Sequence, residues 1–294
     1  VFKINDVLNR AGMDSISAGG VVAFAMECYE NGILSREDLD GIDLYWGNAE
    51  GTLELLDKMI RREGVGDLLA DGTRKAAEKI GKGSERFAVH AGGQELPMHD
   101  PRFDPGFLVS YELEPTPGRH TNVSYQWSEM FALHREFKGL PKPPPLYRVK
   151  EKYKPEGKEI LQAAGSKYVQ MANGLGACLF GLHLGTKLPL MKYTNAATGW
   201  DYRPDEYLLM GERIQNIRQA FNAREGIKPA RDFRMNTRAA GEPPLTYGPV
   251  KGVRLDRERL NGDFCRAMGW DPRTGLPTQA KLQELGLEEV AKAL

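Results

Sequence analysis

Wherever apolar residues recur regularly in this chain, they recur at helical spacing, and helical stretches do not alternate with strand-like ones. That property restricts the fold class. A parallel sheet needs strands separated by crossover helices, so no Rossmann-type sheet is expected; the spacing predicts a mainly α, multihelical protein. Ser17 is a candidate cap for a helix through Val21, Val22, Phe24, Ala25 and Met26, with a stop at Asn31-Gly32. That helix is apolar nearly all round, which predicts deep burial. Ser35-Arg36-Glu37-Asp38 resembles a capping box. Thr52 to Arg62, with Leu53, Leu55, Leu56, Met59 and Ile60, reads as an amphipathic helix closed near Gly64, entered through a packed Trp46 ahead of Gly47-Asn48. Asp67 to Ile80 repeats the pattern up to Gly81.

Phe87 to Thr121 breaks the rhythm. It contains Pro97, Pro101, Pro105, Pro115 and Pro117, shows no helical period, and holds His90, His99 and His120. A long irregular stretch inside a compact protein usually serves function or linkage, and the histidines favour function here. Helix resumes over Ser124 to Phe137. Gly139 to Pro155, with Pro143-Pro144-Pro145, reads as an extended connector. This predicts a first helical domain over 1–140 with an active-site loop at 87–121, a connector at 141–156, and a second helical domain over 157–294 with a loop at 173–178. Within the second, helices are expected at Lys158 to Met171, Ala177 to Leu184, Asp205 to Arg224, Asp256 to Met268, and from Thr278 to Leu285-Gly286. The 205–224 helix is expected to bury Leu208, Leu209, Ile214, Ile217 and Phe221; 227–255 reads as irregular.

Composition narrows the function classes. Among 294 residues, Lys+Arg 40 balances Asp+Glu 40, which gives no ground for a nucleic-acid or anionic-membrane partner. No apolar run approaches the roughly 18 residues of a membrane span. Val1 rather than Met stands first and no signal-peptide pattern follows, so a cut front end is expected. Three cysteines, Cys28, Cys178 and Cys265, without CxxC spacing, fit a reducing, cytoplasmic setting. A four-iron cluster usually takes about four thiolates, more than this chain holds.

Two loops share the form (Asp/Asn)-x-x-Gly-apolar-(Asp/Cys): Asn9-Arg10-Ala11-Gly12-Met13-Asp14 and Asn173-Gly174-Leu175-Gly176-Ala177-Cys178. As a pair they suggest loops gripping one ligand from two sides. In the first, Asp14 could accept hydrogen bonds from a heterocycle; alternatively Gly12 ends one helix and Asp14 or Ser15 caps the next. In the second, glycines allow close backbone approach and Cys178 could bind iron as thiolate; alternatively it is a buried core cysteine. Pro115 and Pro117 stiffen the loop that presents Arg119 and His120. An imidazole there suits proton transfer near neutral pH, or is a structural histidine. Phe87 to Arg102 reads as mainly structural, with Asp100 and Arg102 able to pair and with Glu95 and His90 as remaining pocket residues.

Taken in order, six stretches resemble the tungsten-containing aldehyde ferredoxin oxidoreductase family: Ala11 to Ser17; Glu63-Gly64-Val65-Gly66-Asp67-Leu68-Leu69; His99-Asp100-Pro101-Arg102; Gly176-Ala177-Cys178; Phe221-Asn222-Ala223-Arg224-Glu225-Gly226; and Gly269-Trp270-Asp271 through Leu285-Gly286-Leu287. The matched region is the family's C-terminal pair of helical domains. The family's N-terminal β domain and the stretch with its other three cluster cysteines have no counterpart in this sequence.

The resemblance implies a tungsten (or molybdenum) bis-pterin and a 4Fe-4S cluster, both requiring that N-terminal part. It implies oxidation of a small aldehyde to a carboxylic acid, with electrons passing to ferredoxin or another electron-transfer subunit; a homo-oligomer is compatible. Carried over by motif, Cys178 is the fourth cluster ligand. Asn9, Gly12 and Asp14 take the place that binds one pterin, Asn173, Gly176 and Ala177 that of the other. His120 falls at the family's histidine beside the metal, where it could hydrogen-bond the substrate carbonyl or move a proton; Arg119 and Glu95, from the loop reading, are the further catalytic candidates. The family usually has Asp where Asn9 and Asn173 stand, and the Thr116-Pro117-Gly118-Arg119-His120 loop departs from its pattern. Reduction of an aromatic acyl thioester (small acyl substrate) and a non-catalytic helical binding module are the alternatives.

Overall fold

The computed structural model describes residues 1–122, 124–145, 151–184 and 187–294. It is mainly α, as the spacing predicts. Among the described residues the strands form two short antiparallel ribbons and no larger sheet. No described helix is long and apolar enough to cross a membrane.

The chain forms two compact units: Val1–Met98 with Met235–Ala239, and His99–Arg234 with Ala240–Leu294. In the first unit α1 (Phe2–Ala11), α2 (Ser15–Glu30), α3 (Ala49–Arg61), α4 (Val65–Leu69) and α5 (Thr73–Ile80) precede the ribbon β1 (His90–Ala91) and β2 (Gln94–Glu95). Helix α2 is the centre of the core. Val21, Val22, Phe24, Ala25, Met26 and Cys28 are all buried, against Leu55, Leu56 and Met59 of α3. Asn48 caps α3 by accepting from Gly51 N–H at 3.0 Å. Trp46 beside it is half exposed rather than packed, its indole donating to Glu30 at 3.2 Å. The single helix expected over Asp67 to Ile80 is two, broken at Asp71-Gly72. Met235–Ala239 returns to this unit through Asn236, whose amide donates to the carbonyls of Glu85 and Arg86 at 3.1 Å each. Arg238 adds a two-pronged pair with Glu27.

The second unit holds α6 (Gly106–Leu113), α7 (Tyr125–Phe131), α8 (Lys158–Gly174), α9 (Leu179–Leu182), α10 (Leu190–Thr198), α11 (Pro204–Arg224), α12 (Pro229–Asp232) and α13 (Arg257–Met268). After these come the ribbon β3 (Trp270–Asp271) and β4 (Leu276–Pro277), α14 (Gln279–Glu284) and α15 (Glu288–Lys292). Helix α6 lies inside the segment expected to be irregular. It shows no helical period because all eight of its residues are buried, Ser110 and Glu112 included, so no exposed polar face marks one side. The units do not divide at the 141–156 connector, of which residues 146–150 lie outside the described residues. Segment 99–140 packs onto the helices beyond it: Phe131 stacks obliquely on Tyr168 at 5.3 Å, and Gln162 of α8 donates to Gly106 O at 2.7 Å.

The second unit is organised by the crossing of α8 and α11. An added Cβ at Gly211 would run into the Lys167 carbonyl, so only glycine lets the two backbones approach this closely. The buried face of α11 is not the expected apolar stripe. Leu209, Ile217 and Phe221 are 45%, 45% and 54% exposed, while Glu212, Gln215, Asn216, Gln219 and Asn222 face inward.

Candidate functional site

The two loops singled out by pattern have one backbone geometry. Helix α1 ends on Gly12 at φ 68; Gly12 N–H donates to Asn9 O at 3.2 Å and Met13 N–H to Leu8 O at 2.9 Å. Helix α8 ends through Gly176 at φ 76; Gly176 N–H donates to Asn173 O at 3.0 Å and Ala177 N–H to Ala172 O at 2.9 Å. This is the left-handed glycine stop, in which the last carbonyls of a helix are satisfied from beyond its end. The same bond pair recurs at Gly32, Gly226 and Gly286, so the stop alone carries no chemistry. What distinguishes the two loops is the next residue but one: Asp14 and Cys178 are each the extended residue immediately before a following helix.

There the two diverge. Asp14 is exposed and uses Oδ2 to accept Ser17 N–H at 2.8 Å, so it is a true helix cap; Ser17, the expected cap, is the donor. Cys178 makes no side-chain cap bond, is exposed and is a free thiol. Cys28 and Cys265 are buried, and burial pushes their thiols up to about 11 and about 12 respectively. Cys178 is therefore the cysteine available to a ligand. Asn9, Asn173 and Gly176 are also exposed, and Ala177 is half-buried.

His120 is half-buried beside the exposed Arg119. Its ring stacks on His99, centroids 4.4 Å apart and planes 15° apart. Parallel planes cannot share a hydrogen bond in the ring plane, so the pair interacts face to face. His99 is pinned through its carbonyl, which accepts from Tyr111 Oη at 2.8 Å. Burial, then the neighbouring His99 and Arg119, hold the His120 imidazole down to about 4; burial also lowers His99. At neutral pH His120 is an uncharged ring, able to accept a proton at one nitrogen.

The His120 loop is held from behind by α11. Glu114, fully buried, accepts from Ser166 Oγ at 2.7 Å and from Gln215 Nε2, and its burial raises the carboxyl above its ordinary range. Gln219 Nε2 donates to Leu113 O at 2.9 Å and Gly275 O at 2.8 Å; Asn222 Nδ2 donates to Pro115 O at 2.9 Å. Arg218 reaches Thr116 Oγ1 at 2.8 Å. Sequence reasoning missed His99, Glu114 and this row on α11. The signal was present as amide and guanidinium groups at 215, 218, 219 and 222, the spacing of one helix face.

Glu95 sits in the first unit, buried at 3% exposure. Its Oε1 accepts from Thr73 N–H at 2.7 Å and Thr73 Oγ1 at 3.0 Å. A carboxylate so engaged ties β2 to the start of α5, which is structural work. Asn9, Gly12 and Asp14 belong to this unit; Arg119, His120, Asn173, Gly176, Ala177 and Cys178 belong to the second.

Among the described residues no three His, Cys, Asp or Glu side chains converge as a metal site. An iron-sulfur cluster is thus not enclosed by these residues. The exposed, free thiol of Cys178 fits one place in a ligand set whose other members would lie outside the described residues.

The model of the aldehyde ferredoxin oxidoreductase domains 2 and 3 matches residues 1–287. The chain is similar to a tungsten-containing aldehyde ferredoxin oxidoreductase of Pyrococcus furiosus, 31% identical over 98% of this chain and 45% of that protein. It is similar also to the protein of the same description from Pyrococcus horikoshii, 32% identical over 98% and 46%. It thus spans about half the length of these relatives. Its fold is like that of the BamBC active-site complex of benzoyl coenzyme A reductase bound to 1,5-dienoyl-CoA, with a TM-score of 0.68 and 22% identity, covering 99% of this chain and 46% of that one. By the match along nearly its whole length, the chain belongs to the aldehyde ferredoxin oxidoreductase family, over the stretch of its domains 2 and 3.

Proposed function

We propose that this chain is the C-terminal part of a tungsten-pterin oxidoreductase that converts an aldehyde and water to a carboxylic acid, sending two electrons through a 4Fe-4S cluster to ferredoxin. The observation that supports it most is Cys178: an exposed, free thiol, making no cap bond at the residue that precedes α9, just beyond a glycine turn. Such a thiol can become a thiolate ligand without giving up a helix-cap hydrogen bond. Family membership supplies the rest of the reading, since the relatives are described as tungsten-containing and as ferredoxin oxidoreductases.

When bound, the tungsten-pterin group would supply the oxygen-transfer and two-electron chemistry. This chain's residues do the remaining work. Asp14 and Asn9 would face one pterin, and Asn173 with the Gly176-Ala177 backbone the other. Asn offers a carbonyl acceptor and a donor where a carboxylate would accept twice, so the two pterins meet different partners. The uncharged His120 ring can donate its N–H to the substrate carbonyl or relay one of the three protons released as an aldehyde and water become a carboxylate. Arg119, exposed beside it, can pair with the carboxylate product.

The test is Cys178→Ala in the full-length protein that contains this chain. Iron content should fall; unchanged iron would remove Cys178 from the ligand set. His120→Ala should lose turnover with tungsten and iron retained, and normal turnover would end its catalytic assignment. Assaying aldehydes beside aromatic acyl thioesters determines the substrate class.

A further inference from the structure

The guanidinium of Arg218 bridges two segments of the second unit that carry candidate site residues. Nη2 donates to Thr116 Oγ1 at 2.8 Å, four positions ahead of His120. Nη1 donates to Gln170 Oε1 at 2.7 Å, three positions ahead of Asn173. Gln170 is 1% exposed, so that bond is shielded from water. Among the described residues no carboxylate forms an ion pair with Arg218; its charge reaches the buried Glu114 only at longer range, and its fork goes to two neutral acceptors. A half-buried cation held this way is poorly explained as a stabilising ion pair. It is well explained as a ruler, because a planar guanidinium fixes the separation and direction of two acceptors where a flexible ammonium would not.

The other ties to the loop act further back. Gln219 holds Leu113, Ser166 and Gln215 hold Glu114, and Asn222 holds Pro115. Beyond Thr116 the loop is fastened by Gly118 N–H to Tyr111 O at 3.1 Å and by the stack of His120 on His99. Arg218 thus grips the last side chain before Pro117. From α11 its other arm holds Gln170 of α8, in the turn that precedes the Asn173–Cys178 loop.

We propose that Arg218 is a positioning residue that fixes the His120 loop to the C-terminal turn of α8, and so sets His120 relative to the Asn173–Cys178 turn. The importance of that setting rests on the redox reading above, in which both segments face one cofactor assembly. Productive geometry in such sites is held to on the order of 0.5 Å, which a proline-stiffened loop without strand partners cannot secure alone.

The test needs no cofactor. The full chain, carrying 13C-labelled histidine, is followed by NMR through a pH titration, with the His120 ring assigned by His120→Phe. Wild type should give one sharp ring signal that titrates near 4. Thr116→Val removes the acceptor while keeping the shape, and Arg218→Met keeps length without the fork. Both should broaden or double the His120 signal and move its titration upward as water reaches the ring. His99 and Arg119, the charged or titratable groups beside the ring, are intact in both variants. Arg218→Lys keeps the charge and should not restore the sharp signal. A His120 signal and titration superimposable on wild type in Thr116→Val would overturn the proposal, and this holds whether or not Arg218→Met folds. Iron loss in Cys178→Ala alongside an unmoved His120 would reject the ruler and keep the redox reading. A shifted His120 with unchanged iron in Cys178→Ala would do the reverse.

Discussion

Replacing Gly211 by alanine sets two effects of opposite sign against each other. In a helix interior, alanine is favoured over glycine by about 1 kcal/mol. At Gly211 the new methyl would collide with the Lys167 carbonyl oxygen, lie 2.8 Å from the Lys167 carbonyl carbon and 3.0 Å from Met171 Cβ. Two of these atoms are backbone, so no side-chain rotation clears the way; α8 and α11 must part. Overpacking of this kind costs roughly 1–3 kcal/mol. Parting the helices also strains the Gln215–Glu114–Ser166 and Arg218–Gln170 bonds, and a buried polar group left unmet costs about 1–3 kcal/mol. The collision therefore outweighs propensity, and Gly211→Ala should lose about 2 kcal/mol net. For a unit of this size that is roughly 4–8 °C in melting temperature. Urea unfolding followed by tryptophan fluorescence suits the test, since Trp270 donates its indole N–H to Asn216 Oδ1 on α11 at 2.9 Å. The midpoint should fall with an unchanged slope. Gly19, in α2 with open space around it, is the control: there alanine should stabilise by about 1 kcal/mol. A Gly211→Ala chain as stable as wild type, or more so, would refute the close-crossing argument.

Asp14→Ala should cost about 1 kcal/mol by removing the α2 cap, whereas Asp14→Ser keeps the cap; in the full-length protein both should lower pterin content, which mass spectrometry of the bound cofactor would detect. His120 titrates near 4 when folded and near 6.5 when unfolded, so its contribution to stability is complete above about 6.5 and is lost as pH falls toward 4. Urea midpoints across that window should decline less steeply in His120→Phe. Phe221→Ala should change stability by less than about 1 kcal/mol, because the ring is half exposed with Arg224 over it at 4.7 Å; a buried phenylalanine would cost about 3–5 kcal/mol in the same calorimetric comparison.

Much of this fold can be read from residue spacing, and the misreadings share a cause. Helix α2 was legible because Asn31-Gly32 punctuates it, and the Gly12 and Gly176 stops were legible because left-handed backbone there favours glycine. Helix α6 was not legible, since a helix buried on every side carries no period. The break at Asp71-Gly72 was passed over because apolar residues on both sides keep helical phase. At the candidate site, Cys178, Arg119 and His120 stand out by residue type. Glu95 was drawn in by type as well, yet its carboxylate belongs to Thr73. His99 was missed because its part depends on stacking against a residue 21 positions away, which no local pattern records.

The face of α11 is the instructive failure, because hydrophobicity there points outward. An apolar buried face would have held α8 as well as the polar one does. It could not have held the segment from Leu113 to Thr116. Leu113 ends α6 with its carbonyl unspent, Pro115 has no N–H to pair with a neighbour, and Gly275 lies in the turn of its ribbon, outside the paired residues. Each of those carbonyls, left buried and unmet, would cost about 1–3 kcal/mol. Gln219 meets two of them and Asn222 the third. A slide of α11 by one residue would abandon all three at once, so the amides fix the register of the helix as firmly as they fix the loop. The apolar stripe of Leu209, Ile217 and Phe221 faces outward as the geometric consequence: a helix has one inner face, and here the loop that carries His120 requires it to be polar.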